Sequence, residues 1–130
     1  MRIFTGYFAK YKKYVELGLF PISISGKCPD WYDGQQYKKL APKYWFFKEY
    51  KDGKIDEKGY TEHFKKEVLE PLNPLDVYRD FKEFIEKYDN LFKNVILLCY
   101  EKPEKFCHRH LVANWFNTNY PIFDVKEFIT

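Results

Sequence analysis

The segment from residue 99 to residue 110 concentrates the side chains that can do chemistry. Besides Glu104 and two lysines, it contains two thiols, the Glu101 carboxylate, a guanidinium and two imidazoles: Cys99, Cys107, Arg109, His108 and His110. A thiolate is a nucleophile, an imidazole transfers protons near neutral pH, and a guanidinium fork binds carboxylate or phosphate. This combination is typical of a site that holds an anion beside a reactive group.

The elements around this segment indicate how it is positioned. The apolar run from Val95 to Leu98 predicts a strand buried on both faces of a parallel sheet, and the apolar spacing after His110 predicts a helix. The cluster then lies at a helix N-terminus, where free backbone N–H groups favour negative charge and lower a thiol pKa. We therefore predict an enzyme or binder of a phosphate-bearing or nucleotide-like small molecule. Arg109 and the helix N-terminus are expected to hold the anion, Cys107 or His108 to act on the substrate, and Glu101 to orient His108 or take a proton.

The rest of the chain predicts one α/β domain. Patterning indicates strands at 3–4 and 21–25, helices at 8–17, 57–69 and 74–88, and a final strand or docking segment within 122–128. The aromatic stretch 35–50 resists assignment, although Tyr44, Trp45, Phe46 and Phe47 are apolar enough to be buried. We expect residues 1–130 to form a single domain with a mostly parallel, Rossmann-like sheet of about four strands flanked by helices.

Ligands of such folds bind beyond the carboxyl ends of the strands. We expect the loops after the predicted strands to meet there, so that Thr5, Ser25, Lys27 and Cys99 complete the pocket around Arg109. Trp31 or Tyr32, in the turn-rich segment after the second strand, is expected to stack on a planar ligand or base. The alternative is an ordinary turn anchored by a buried Trp31.

Composition narrows the class of protein. The chain has 130 residues, with 22 basic and 19 acidic side chains, so its charge permits an anionic small molecule but favours nucleic acid only weakly. No apolar run reaches membrane-spanning length and no signal-peptide pattern is visible, so we expect a cytoplasmic protein without a membrane partner. Three cysteines are an odd number, which favours free thiols. The oligomeric state stays open.

Several interpretations compete with the anion site. A phosphatase loop needs arginine six residues after the cysteine, where Lys105 and Ala113 stand instead. Phosphate-binding glycine loops are also missing, and no cofactor is expected. Cys99 and Cys107 fit buried core thiols as well, and Arg109 fits a surface pair with Glu101 or Glu104.

Two alternative functions also stay open. The first is a structural zinc domain with ligands from Cys99, Cys107, His108 or His110, and with Cys28 or His63 reaching in. No CxxC pair and no helical HxxxH supports it, and we predict no metal. The second is a non-catalytic module that binds nucleic acid or a protein through the lysines and aromatic residues between positions 38 and 66.

The chain resembles the "domain of unknown function 488" family. The resemblance rests on residues 5–8 (TGYF), on residues 22–25 (ISIS) with the Pro-Trp loop and residues 40–42 (LAP), and on residues 97–103 (LLCYEKP) followed by 107–109 (CHR). It spans nearly the whole chain and implies a cytosolic α/β domain. It implies that Cys99, Glu101, Cys107, His108 and Arg109 match the family's motif, but it names no reaction and gives His110 no role.

Overall fold

The computed structural model describes residues 1–88 and 91–130, and the strands in these ranges form one parallel sheet in the order β3-β2-β4-β1-β5. The strands are β1 (Ile3–Tyr7), β2 (Leu19–Ser23), β3 (Gln35–Gln36), β4 (Asn94–Cys99) and β5 (Lys126–Glu127). The helices are α1 (Tyr11–Glu16), α2 (Tyr44–Lys51), α3 (Glu57–Phe64), α4 (Pro74–Glu86) and α5 (His108–Asn119). The predicted α/β class is confirmed, with five strands in place of about four.

Strand β4 forms the centre of the sheet. It pairs with β1 from Ile3↔Val95 to Tyr7↔Cys99 and with β2 on its other side. Its residues from Val95 to Cys99 are all buried, as expected for a branched, uniformly apolar strand with neighbours on both edges. Because β1, β2 and β4 run in the same direction, their carboxyl ends share one edge of the sheet.

Helices cover both faces of the sheet. Val95 and Leu97 of β4 belong to the larger core, together with buried residues of α2, α3, α4 and α5. Ile96 and Leu98 point to the opposite face and pack with Tyr14 of α1. The chain therefore leaves β1 toward one face through α1 and leaves β4 toward the other face through α5. In parallel sheets, a ligand crevice forms where the connections that follow two neighbouring strands go to opposite faces of the sheet.

Two expectations about the helices need correction. The segment 57–69 is not one α-helix, because a π-helical turn, Lys65–Leu69, follows α3 and brings both Val68 and Leu69 into the core. In α2 only Phe46 is fully buried, whereas Tyr44 and Trp45 are exposed. Among the helices of the described ranges, none combines the length and hydropathy of a membrane-spanning segment.

Candidate functional site

A cleft of about 960 Å³ lies at the carboxyl edge of the sheet. Ser25, Gly26 and Lys27 enter it after β2, and Cys99 enters it as the last residue of β4. The loop after β4 and the start of α5 complete this side with Tyr100, Glu101, Lys105, Phe106, Cys107 and His108. The opposite wall comes from the α2–α3 region and consists of Pro42, Tyr44, Phe47, Tyr50, Lys51, Glu57 and Tyr60.

Cys99 and Cys107 meet in the floor of the cleft. Cys99 ends β4 and Cys107 is the N-cap residue of α5, so the loop between them returns the chain to the sheet edge. The structure joins the two sulfurs as a disulfide. Both residues are buried, and the side chain of Cys107 makes no capping hydrogen bond to the first turn of α5.

His108 is held in one tautomer. Its Nε2 lies 2.7 Å from the backbone oxygen of Ile24, and because a carbonyl only accepts, Nε2 must carry the proton. Nδ1 is then unprotonated and lies 3.9 Å from the Sγ of Cys107. Burial lowers the pKa of His108 to about 4, with the nearby Arg109 charge adding to this effect, so the ring is neutral at neutral pH.

Arg109 lies in the protein interior with no exposed surface. Its guanidinium donates to both carboxylate oxygens of Glu127, at 3.0 Å from Nε and 2.9 Å from Nη2. Its Nη1 donates to the Sγ of Cys99 at 3.1 Å. Thr5 donates its hydroxyl to the same carboxylate at 2.6 Å. These bonds connect the predicted anion-binding residue to β1, β4 and β5.

Ser25 and Lys27 lie in the cleft wall formed by the loop after β2. The Ser25 hydroxyl is buried and has no hydrogen-bond partner within the described part of the chain. Lys27 is exposed, and its backbone oxygen accepts a hydrogen bond from the Tyr100 hydroxyl at 2.6 Å, which ties the two loops together. A polar group that is buried without a hydrogen-bond partner costs free energy.

The structure brings six of the nine predicted site residues together, namely Ser25, Lys27, Cys99, Glu101, Cys107 and His108. Arg109, Thr5 and Trp31 do not line the described cleft. Trp31 is 55% exposed and packs against Phe8 and Tyr11. The pairing of Arg109 with Glu101 or Glu104 is replaced by the pair with Glu127.

Sequence reasoning missed two features of this region. Glu127 carries no local signal, because its partner is 18 residues away and the strand that carries it has two residues. The aromatic wall of α2 does have a signal. Tyr44, Phe47 and Tyr50 recur at three-residue spacing, which places them on one side of a helix beside the buried Phe46.

A sequence model of the DUF488-N3a family, described as the active DUF488-N3 subclade, matches residues 18–120. The match covers most of the chain, so the protein belongs to this family, as the resemblance indicated. It includes the six residues gathered in the cleft and Arg109, but not Thr5 or Glu127. Searches of curated proteins and of solved structures found no match.

Proposed function

We propose that this DUF488-N3a protein binds a phosphate-bearing, nucleotide-like small molecule in the cleft and acts on it with Cys107, His108 and Glu101. The cleft has the volume of a small-molecule site and lies beyond the carboxyl ends of β2 and β4, the edge at which parallel α/β sheets bind ligands. The observation that carries the proposal is that Ser25 lines this cleft and that its buried hydroxyl has no hydrogen-bond partner among the described residues.

The phosphate end of the ligand is assigned to the side of the cleft that contains Ser25. Lys27 lies two residues further along the same loop, and Lys105 reaches the cleft from the loop before α5. Helix α5 begins here without a side-chain cap from Cys107, so its first turn offers backbone N–H groups and the positive end of its dipole. Together these groups match a phosphate in charge and hydrogen bonding.

The planar end of the ligand is assigned to the aromatic wall. Tyr44 is 73% exposed and lines the cleft with Phe47, Tyr50 and Phe106. An exposed aromatic side chain on a concave surface gains by stacking on a base, and the contribution is about 1–3 kcal/mol per stacked base. The wall therefore favours a nucleotide over a simple sugar phosphate.

The residues assigned to act on the ligand are His108, Cys107 and Glu101, between the phosphate end and the planar end of the ligand. In the neutral ring of His108, Nδ1 is free to accept a proton or a hydrogen bond. Cys107 contributes a thiol or thiolate once the bond to Cys99 is reduced, and the Glu101 carboxylate lines the same cleft. Arg109 is assigned a positioning role, since its guanidinium is occupied by Glu127 and Cys99.

Titration calorimetry with nucleoside mono- and diphosphates, nucleosides and sugar phosphates tests this proposal. We expect nucleotides to bind and Lys27→Gln or Ser25→Ala to weaken binding by about tenfold, since each removes roughly one charge-assisted or buried hydrogen bond. Lys12→Gln, which removes an exposed lysine of α1 on the opposite face, is the matched control and should bind as the parent does.

Equal binding by Lys27→Gln and the parent would contradict the assignment of the phosphate end. A chain that binds no member of the panel would refute the proposal. Single-stranded oligonucleotides should bind no more tightly than the mononucleotide. Affinity that grows with strand length and falls steeply with salt would instead identify a nucleic-acid module.

A further inference from the structure

Three potential metal ligands converge in the floor of the cleft. The Sγ atoms of Cys99 and Cys107 and a ring nitrogen of His108 lie within 4.8 Å of one another, and all three residues are buried. We propose that the reduced chain binds one thiophilic divalent cation here, with Zn²⁺ as the first choice. Two thiolates and one imidazole are a ligand set that zinc prefers.

The free ring nitrogen of His108 points in the right direction for this role. Its Nε2–H donates to the backbone oxygen of Ile24 at 2.7 Å, which leaves Nδ1 as the lone-pair donor on the side of Cys107. Metal-binding histidines characteristically donate their other N–H to a carbonyl or carboxylate, which fixes the tautomer and the ring orientation. The Ile24 carbonyl supplies that outer contact.

The two sulfurs also have outer contacts that favour thiolates. Arg109 donates to the Sγ of Cys99 at 3.1 Å, and Glu127 holds this guanidinium in place through two further bonds. Cys107 is the N-cap residue of α5, where the helix dipole stabilises negative charge. A cation between two stabilised thiolates and an imidazole would be bound by preorganised ligands.

The three ligands leave a coordination position open. In the described part of the chain, Glu101 and His110 do not belong to the group of ligand atoms within 4.8 Å. Cys28 donates to the Ser23 hydroxyl at 3.2 Å, and His63 lies 3.5 Å from a Glu67 oxygen. Cys99, Cys107 and His108 all line the cleft, so the open position faces the proposed ligand. Three protein ligands with an open position are typical of catalytic zinc, whereas structural zinc has four.

This inference goes beyond the proposed function and departs from the expectation that no metal is bound. With the ion present, Cys107 is a ligand, and the open position at the ion becomes the place where a water or a ligand oxygen is polarised. The disulfide and the ion exclude each other. Reduction by a phosphine breaks the S–S bond, gives two thiols and transfers a water oxygen to phosphorus; the thiols release their protons when the ion binds.

Cobalt loading provides the test. The full chain is reduced with a phosphine and titrated with Co²⁺ in the absence of nucleotide, and Zn²⁺ is then added. We expect one Co²⁺ per chain, a thiolate-to-cobalt charge-transfer band, visible bands of tetrahedral intensity, and loss of all these bands when zinc displaces cobalt. Elemental analysis of the zinc-loaded chain after desalting should give one zinc.

Matched variants assign the ligands. Cys107→Ser and His108→Gln should weaken Co²⁺ binding at least tenfold, whereas Cys28→Ser, which removes the free thiol, should bind as the parent does. A reduced parent chain without charge-transfer bands would overturn the inference, even if the variants fail to fold. An equal loss in Cys28→Ser would overturn it too. Because no nucleotide is present in this experiment, a failure to bind Co²⁺ does not contradict the proposed nucleotide site. A failure to bind nucleotides in the calorimetry does not contradict the metal site.

Discussion

Replacing Glu127 by glutamine tests whether the buried ion pair holds the site together. Arg109 is fully buried and Glu127 is 14% exposed, so the substitution leaves a guanidinium in the interior without its counter-charge. Removing one partner of a buried pair costs about 3–5 kcal/mol. Since Glu127 retains some contact with water, we expect about 3 kcal/mol.

Equilibrium urea unfolding of the reduced chain at neutral pH measures this cost. With a denaturant slope near 2 kcal/mol per M, Glu127→Gln should lower the midpoint by roughly 1.5 M. Asp124→Asn is the matched control, because it breaks the exposed pair with Arg2 at 3.3 Å and should cost less than about 1 kcal/mol.

A double-mutant cycle separates the interaction energy between Arg109 and Glu127 from the interactions that each residue makes with other groups. Arg109→Met removes the charge and keeps an apolar stem, and it should be strongly destabilising while Glu127 is present. The double variant should be much more stable than the sum of the two single costs predicts, because no unpaired charge stays buried in it.

The pH dependence of the free energy of unfolding provides an independent test of the same ion pair. Burial raises the pKa of Glu127, but hydrogen bonds from Arg109 and Thr5 outweigh burial and lower the pKa below its ordinary value of 4.5. The pair therefore contributes fully above about pH 4.5, and its contribution disappears as the pH falls through the folded-state pKa. The stability difference between the parent and Glu127→Gln should therefore be constant above about pH 4.5 and shrink as the pH falls below that value.

Two results would refute this reasoning. One is a cost of Glu127→Gln no larger than that of Asp124→Asn. The other is additive behaviour of Glu127→Gln and Arg109→Met. Either would mean that the guanidinium is stabilised by groups other than this carboxylate, so that β5 contributes nothing to the position of Cys99.

Three further substitutions test how the fold is specified. Asn73→Ala removes the N-cap of α4, whose side chain accepts a backbone N–H at 2.8 Å, and should cost about 1 kcal/mol in urea unfolding. Gly6→Ala places a Cβ 2.7 Å from the ring of Tyr14 and should destabilise the chain by about 1–3 kcal/mol, seen as a lower melting temperature. Tyr37→Phe removes a 2.6 Å bond to Asp80 and should cost about 1–2 kcal/mol; a neutral result would show that water replaces it.

The sheet was predictable where local patterning reflects burial. The run Val95–Leu98 is branched and continuously apolar because β4 has strands on both edges and helices on both faces, and its assignment is confirmed as Asn94–Cys99. The same logic fails for β3, because its two residues are too few to show a period-two pattern. β5 also has two residues, and it lies within the segment 122–128 that was expected to carry a final strand or docking segment.

Segment 35–50 shows why apolar composition alone misleads. Its aromatic side chains were expected to be buried, but α2 presents Tyr44 to the cleft and buries Phe46. Burial of an aromatic residue depends on which side of the helix faces the core, and this direction is set by contacts distant in sequence. The exposed side of α2 therefore lines the cleft and stays outside the core.

The three side chains of the Cys-His-Arg motif have different surroundings, because successive residues at the start of a helix point in different directions. Cys107 and His108 line the cleft at the start of α5, whereas Arg109 turns inward to Glu127 and Cys99. A linear sequence shows three adjacent reactive side chains and suggests one joint role, but a helix rotates by about 100° per residue. The guanidinium consequently contacts the sulfur at the end of β4 from the interior, and of the three motif residues Cys107 and His108 line the cleft.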